Sequence, residues 1–324
     1  MLPVDAVVTW VDSTDKAWQQ TYKTYVGKPY EKSIRFTMGD DPEAELRNCL
    51  ALMRKNMPWL RNVFVLTLNQ RPKSITSEIV VDHREIGLTA TFNSHAIETS
   101  LHKIKGLSEH FIYINDDTFV VRPVKPSHFF HTSTDWRPRV RLDRNLRETE
   151  WVSAVNRSSR LIGMPQHTAL RHAPYPLTKS IMVKAELALP KEWQNARTCR
   201  VRYTCDELVP VYTALLLHLR DSMHTDEAAA TDELKISYWP TAKGRKVYDE
   251  HVICVAYYTG TADDLRALLT RPSWIRRKWK SLTRAEHMGG HGPSWWHVVM
   301  YVAACVCFVV VWMHYSRRPH KKID

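Results

Sequence analysis

The chain has 324 residues, with 46 Lys/Arg against 34 Asp/Glu for a formal charge of +12, 44% hydrophobic residues, 25% charged residues and only 10 Gly. That composition excludes collagen-like, low-complexity and wholly disordered classes and supplies enough apolar residues for a core. Residues 271–324 hold ten Lys/Arg and two Asp/Glu, so the excess charge sits mostly in the tail, and with no matching motif nucleic-acid binding is not expected.

In chain order, Asp5–Val11 (DAVVTWV) is a short apolar run rich in β-branched residues, which predicts a buried strand ending in the acidic turn Asp12-Ser-Thr-Asp15. Asp41-Pro42-Glu43 then starts a helix whose apolar positions Leu46, Cys49, Leu50 and Met53 repeat at helical spacing until Asn56 and Pro58 stop it. Asn62–Leu68 reads as a second buried strand and Val80–His83 as a shorter one. Asn93-Ser94 caps a helix with Ile97, Leu101 and Ile104 on one side, ended by Gly106. His110–Ile114 is the next strand, and it delivers Asn115-Asp116-Asp117 to its carboxyl end. This alternation predicts an α/β fold, a Rossmann-like, mostly parallel sheet with helices on both faces. Ligands bind beyond the carboxyl ends of such strands, where both acidic turns fall.

Residues 131–200 are less regular and read as long active-site loops. Asp206–Leu219 returns to a helical pattern and His251–Tyr258 reads as a last strand, completing one domain over 1–270. Beyond a basic linker at 271–294, the uncharged run Val298–Met313 with its flanking Trp295, Trp296 and Tyr315 predicts a transmembrane helix over 295–315, followed by a short basic tail at 316–324. Trp274, Ile275, Trp279 and Leu282 in the linker suit a helix lying on lipid, although a solvated linker explains them as well. The expectation is a single-pass membrane protein of the Golgi or secretory pathway, held in the membrane by its C-terminal helix. With no signal segment visible at Met1-Leu-Pro-Val, a literal reading gives the alternative expectation of a cytosol-facing tail anchor, and a gene model lacking an upstream signal explains the same start equally well. Cys199 and Cys205 could close a small disulfide loop, though unpaired packing thiols are the commoner case, and Asn156-Arg-Ser is a glycosylation sequon.

Three constellations carry chemistry. Paired carboxylates Asp116 and Asp117 at a strand end suit a hard divalent metal bridging phosphate oxygens, although a capped turn explains them too. His172-Ala-Pro-Tyr-Pro holds a histidine in a proline-stiffened loop, as a general base or nucleophile requires, and as an ordinary polar loop residue also allows. Arg202 and Asp206, four apart at the start of the late helix, suit a phosphate clamp or a plain i,i+4 pair.

With these residues on the page the chain resembles the Stealth family of sugar-1-phosphate transferases, which includes capsular polysaccharide phosphotransferases and N-acetylglucosamine-1-phosphotransferases. The likeness lies in Asp5–Asp15, in a long block from Glu45 through Asn56-Met-Pro-Trp-Leu-Arg, Thr91-Phe-Asn-Ser94 and Phe111-Ile-Tyr-Ile-Asn-Asp-Asp117, in His172-Ala-Pro-Tyr-Pro, and in Arg202 with Asp206. The resemblance implies metal binding by Asp116 and Asp117, catalytic roles for His172, Arg202 and Asp206, and a donor pocket containing Asp12, Asn93, Ser94, Glu98 and His102. It also implies a divalent metal, Mg2+ or Mn2+, a nucleotide-sugar donor, and a glycan or glycoprotein acceptor. The implied reaction transfers a hexose or N-acetylhexosamine 1-phosphate to a glycan hydroxyl, forming a phosphodiester and releasing a nucleoside monophosphate. Two rivals remain, a metal-dependent glycosyltransferase that releases a nucleoside diphosphate and a membrane-tethered binding protein without turnover.

Overall fold

The apolar runs form the strands β1 (Val4–Thr9), β2 (Val63–Thr67), β3 (Ile79–Asp82) and β4 (His110–Asn115), each preceded or followed by helix. The computed structural model describes residues 2–30, 41–143, 150–165, 169–170, 172–205, 207–222, 234, 236–239 and 250–255. Of the chain's two units, Met1–Thr270 and Arg271–Asp324, only the first contains them. Further strands are β5 (Thr118–Val120), β6 (Leu142–Asp143), β7 (Ala169–Leu170), β8 (Tyr175–Thr178), β9 (Ile236–Trp239) and β10 (Val252–Val255). The helices are α1 (Lys16–Val26), α2 (Ala44–Asn56), α3 (Ser94–Glu98), α4 (Glu150–Leu161), α5 (Lys179–Ala188), α6 (Pro190–Thr198) and α7 (Pro210–Asp221).

The main sheet runs β3-β2-β1-β4-β8; its first four strands are parallel and β8 is antiparallel to β4. Because side chains alternate across a strand, β1 feeds two cores. Val4, Ala6 and Val8 join Ile112, Ile114 and the α2 residues Leu46, Leu50 and Met53 on one face. Val7 joins Phe111, Tyr113, Leu177 and residues of α4 to α7 on the other. A smaller sheet, β5-β10-β9, contributes Phe119 and Ile253 to the first core. The parallel-rich α/β sheet covered on both faces is therefore present.

Asp5 breaks the apolar pattern of β1. Its carboxylate has no solvent exposure, and it accepts from Arg61 Nε at 2.9 Å and Nη2 at 2.6 Å, from Asn62 N at 3.0 Å and from Ser108 N at 2.6 Å. It thereby ties β1 to the chain entering β2 and β4. A buried charge is stable only when paired and fully bonded.

Several expectations are corrected. The helix after Asn93 stops at Glu98, because Trp193 Nε1 takes the Thr99 carbonyl at 3.0 Å; the chain resumes only as a 3-10 turn at Leu101–Lys103. The stretch 131–200 is not mainly loop: α4, α5 and α6 lie in it, with Trp193 and Met182 fully buried. The late helix begins at Pro210, so Arg202 precedes it instead of opening it. The sequon lies inside α4, and its Ser158 is buried, accepting from Val209 N at 2.8 Å, as a packing residue does. No helix among the described residues is long and apolar enough to cross a membrane. The longest, α2, has 13 residues and rises only about 20 Å where a bilayer core needs about 30 Å. This corrects the expected C-terminal transmembrane helix and the single-pass Golgi or secretory-pathway assignment, and a membrane partner held through that helix is not supported. Residues 295–315, with the linker and tail on either side, lie outside the described residues.

Asp5→Ala would leave the Arg61 guanidinium and two backbone N–H groups without their acceptor. A loss of about 3–5 kcal/mol is expected in urea unfolding monitored by tryptophan fluorescence; a change below about 1 kcal/mol would show that Asp5 does not anchor the sheet.

Candidate active site at the carboxyl edge of the sheet

Pairing of Thr9 with Asn115 puts the acidic turns after β1 and β4 on one edge. Asp12 folds back into an Asx turn, accepting from Thr14 N at 2.8 Å and Thr14 Oγ1 at 2.6 Å. Gln70, beyond β2, stitches this turn down through Asp12 N at 3.0 Å and Asp12 O at 2.7 Å. Asp15 caps α1, accepting from Ala17 N at 2.8 Å.

The turn after β4 is more acidic than its two aspartates suggest. Enclosure by protein and the neighbouring Asp117 charge raise the Asp116 carboxyl to about 8, backbone hydrogen bonds offsetting part of the effect. Glu45, in the first turn of α2, is pushed well above the carboxylate range by burial and by the charges of Asp116 and Asp117. From the smaller sheet, register pairs Cys254 with Thr118 and so brings it beside Asp117. Burial and the Asp117 charge raise its thiol. Ligand atoms of Asp117, His172 and Cys254 lie within 4.8 Å of one another. Crowded carboxyls whose ionisation is opposed by burial and by one another, beside an imidazole and a thiol, are a donor set that fits a divalent cation.

His172 reaches this turn from the loop between β7 and β8. Its Nδ1 lies 3.1 Å from the Tyr175 hydroxyl, which is 2.8 Å from the Tyr212 hydroxyl of α7. Glu98 is raised to about 7 by burial, with His95 and the Val211 N–H at the start of α7 pulling it back. Its charge is felt at both Tyr113 and Tyr175, so it links the histidine's neighbours to the next cluster.

That cluster gathers around a loop closed by a Cys199–Cys205 disulfide with 5.8 Å between Cα atoms. Between the two cysteines Arg202 donates to Ser94 Oγ and lies 5.7 Å from the centre of the Tyr203 ring. Tyr203 has φ +66°, a left-handed conformation costly for a bulky residue. Buried Glu207 offsets the cost, accepting from Tyr203 N at 2.6 Å and from Asn93 Nδ2 at 3.4 Å, with His95 Nδ1 at 3.5 Å. Asn93 also caps α3 through His95 N at 3.0 Å and bonds the Cys199 carbonyl at 3.1 Å. The positive end of α3 and the Arg202 guanidinium thus share one place, an arrangement that suits phosphate.

Of the residues singled out in the sequence, Asp116, Asp117 and His172 come together in the structure, and Asn93, Ser94, Glu98 and Arg202 form the adjoining cluster. His102 instead bonds Glu186 of α5 through Nε2 at 3.0 Å, in a network with Lys103 and Arg197, and burial lowers it to about 4. Asp206 lies outside the described residues. Sequence reasoning missed Glu45, Cys254, Tyr175 and Glu207 as members of the site. Glu45 and Glu207 each had a signal, a second acid next to residues already in view.

The fold and site together define an α/β protein with an acidic, histidine-bearing site at the carboxyl edge of parallel strands. Stealth protein CR2, conserved region 2, matches residues 40–137, and through that region the chain is similar to the Stealth family. An exopolysaccharide phosphotransferase of Streptomyces coelicolor is 38% identical over 230 residues, 64% of this chain and 38% of the relative. Another from the same organism is 30% identical over 83% of this chain and 49% of its own length. A capsular polysaccharide phosphotransferase of Neisseria meningitidis serogroup B is 42% identical over 40% of this chain and 38% of its own length. The chain therefore spans less than half the length of these curated relatives. A galactosyltransferase LgtC crystal structure with donor and acceptor sugar analogs aligns at 13% identity over 85% of this chain and 99% of its own, with a TM-score of 0.38, and nothing rests on that likeness.

Glu207 gives this region a pH signature. Burial opposes its ionisation, but the hydrogen bonds from His95 and from the Tyr203 and Glu207 amides outweigh it and hold the group at about 2, below the usual 4.5. A depressed carboxyl stabilises the fold above its unfolded value, so the contribution, of order 3 kcal/mol, is complete above pH 4.5 and lost as pH falls to about 2. Glu207→Gln should therefore lower stability at pH 7 in chemical denaturation and converge with the wild type near pH 2; parallel curves would show that the carboxylate is not held in this way.

Proposed function

We propose that this chain carries the catalytic site of a sugar-1-phosphate transferase that moves a hexose or N-acetylhexosamine 1-phosphate from a nucleotide sugar to a glycan hydroxyl. The observation that carries the reading is the meeting of His172 with Asp117 at the carboxyl edge of the sheet, in a chain whose relatives are named capsular and exopolysaccharide phosphotransferases.

Asp116 and Asp117, with Glu45 as a further carboxyl, would hold a divalent cation such as Mg2+ or Mn2+, with ligand atoms of His172 and Cys254 within 4.8 Å of that of Asp117. Bound there, the cation would neutralise charge on the donor diphosphate. Arg202 would pair with phosphate oxygens, held in place by Ser94 and by the disulfide-closed loop, while the amino end of α3 adds to the positive field. The acceptor hydroxyl would attack the sugar-bearing phosphorus, the bond from that phosphorus to the nucleoside monophosphate would break, and His172 would take the acceptor proton. Such transfers depend mainly on positioning and on stabilising phosphate charge.

The test is the leaving group. The full chain, incubated with Mn2+, a UDP- or GDP-sugar and an oligosaccharide acceptor, is expected to release nucleoside monophosphate and leave phosphorus in the glycan. Nucleoside diphosphate as the only nucleotide product would assign a glycosyltransferase instead. His172→Ala should reduce turnover by about a thousandfold or more while donor affinity changes less than about tenfold; an active variant would remove His172 from the mechanism.

A further inference from the structure

We infer that the Cys199–Cys205 disulfide is a thiol-sensitive clasp. Closed, it keeps Arg202 on Ser94 and ready for donor phosphate; opened by a dithiol, it releases Arg202 and weakens donor binding. The inference rests on the reading above in which Arg202 pairs with phosphate oxygens of a nucleotide sugar.

The clasp spans a turn that the rest of the chain fastens unevenly. Cys199 is buried at the end of α6, where its N–H bonds the Asn195 carbonyl at 3.1 Å and its own carbonyl accepts from Asn93 Nδ2 at 3.1 Å. Arg200 is fixed as well: its carbonyl accepts from Phe92 N at 3.0 Å, and its guanidinium lies 4.9 Å from the centre of the Tyr25 ring. At the other end Cys205 is half-buried beside exposed Thr204. Its carbonyl accepts from Asn195 Nδ2 at 2.6 Å, while its N–H reaches Glu207 Oε2 only at 3.4 Å. Between the two ends, next to Arg202, stands Tyr203 at φ +66°, and such a residue keeps its conformation only while its surroundings over-determine it. The covalent bond supplies that excess of constraint. With it open, Tyr203 can relax, its ring leaves the Arg202 guanidinium, and the turn that aims Arg202 at Ser94 is lost.

The chemistry balances with a dithiol as the two-electron reductant. A thiolate of the reagent attacks the sulfur of Cys205, the less enclosed residue of the pair; the bond to Cys199 breaks, and Cys199 departs with the electron pair and takes a proton. The second thiol of the reagent then displaces Cys205, leaving two protein thiols and one cyclic disulfide. Cys199 has a ready place in the reduced form. Its sulfur lies 3.2 Å from the Val201 carbonyl and 3.6 Å from Glu207 Oε2, both acceptors for the new S–H. Cys205 is therefore the end that moves. Among the described residues Cys49 and Cys254 are free thiols buried in the protein, so the disulfide a reductant meets is this one.

The test compares the full chain oxidised, reduced with dithiothreitol and reoxidised, with the state of Cys199 and Cys205 read by alkylation and peptide mass. Amide hydrogen exchange reports the turn, and calorimetric titration with UDP-N-acetylglucosamine and with GDP-mannose, each with Mg2+, reports donor binding. Reduction should speed exchange at the Tyr203 and Cys205 amides at least about tenfold while β1 to β4 stay protected. It should also raise the donor Kd about tenfold or more, and both changes should reverse on reoxidation. Cys205→Ser should show the weaker binding from the outset and ignore the dithiol. Equal donor affinity in the oxidised and reduced chains, unchanged exchange over the turn, or general loss of protection in β1 to β4 on reduction would each overturn the inference. A chain that binds neither nucleotide sugar in either state would refute the sugar-phosphate reading, and exchange alone then decides the clasp: faster in the reduced turn upholds it, unchanged overturns it.

Discussion

Like charge confined at the end of β4 is the constraint around which the site is organised. Parallel pairing of β1 and β4 brings their acidic turns to one edge, and α2 adds Glu45 from the neighbouring face. Three carboxyls in protein surroundings cannot all ionise without a counter-charge. Burial and mutual repulsion accordingly raise Asp116 to about 8 and push Glu45 well above the usual carboxylate range. The thiols of Cys49 and Cys254, both raised by burial and by these charges, lie within the same field. Such a turn is costly as a mere loop and useful as a place for a cation to sit.

The rest of the site balances that acid with placed donors. Glu207 and Glu98 are both buried carboxyls, yet their environments push them in opposite directions. Glu207 accepts from the Tyr203 and Cys205 amides and is held near 2, a charge built into the disulfide-closed loop. Glu98 has the start of α7 as partner but too few donors to offset burial, and it is raised to about 7. One group organises the loop that presents Arg202; the other stands between that loop and the tyrosines that hold His172.

Much of the fold was legible in the sequence because parallel strands buried on both faces are near-continuous apolar runs, as β1, β2 and β4 are. The acidic ends of β1 and β4 were legible for the same reason, since a charge following such a run marks a strand's end. The helices between 131 and 200 were harder to see, because Trp193 and Met182 pack single faces of short helices whose other faces carry Lys, Glu and Arg. Asp5 reads in sequence as the first residue of the strand, and nothing there shows that its carboxylate is buried on Arg61, Asn62 and Ser108. Cys254 could not be placed at all without the register of β10 against β5, and Tyr175 reads in sequence as one aromatic in a proline-rich loop. The apolar C-terminal run suggested a membrane helix from length and hydropathy alone, and no described helix supplies one.

If cation binding is what resolves the charge at the end of β4, it must displace protons from the carboxyls that hold them. Calorimetric titration of Mn2+ into the full chain at pH 7, in buffers of different ionisation enthalpy, reads that directly. Release of about one proton per bound cation is expected, vanishing as the pH is raised past about 9; binding at pH 7 without proton release, or no binding at all, would contradict it.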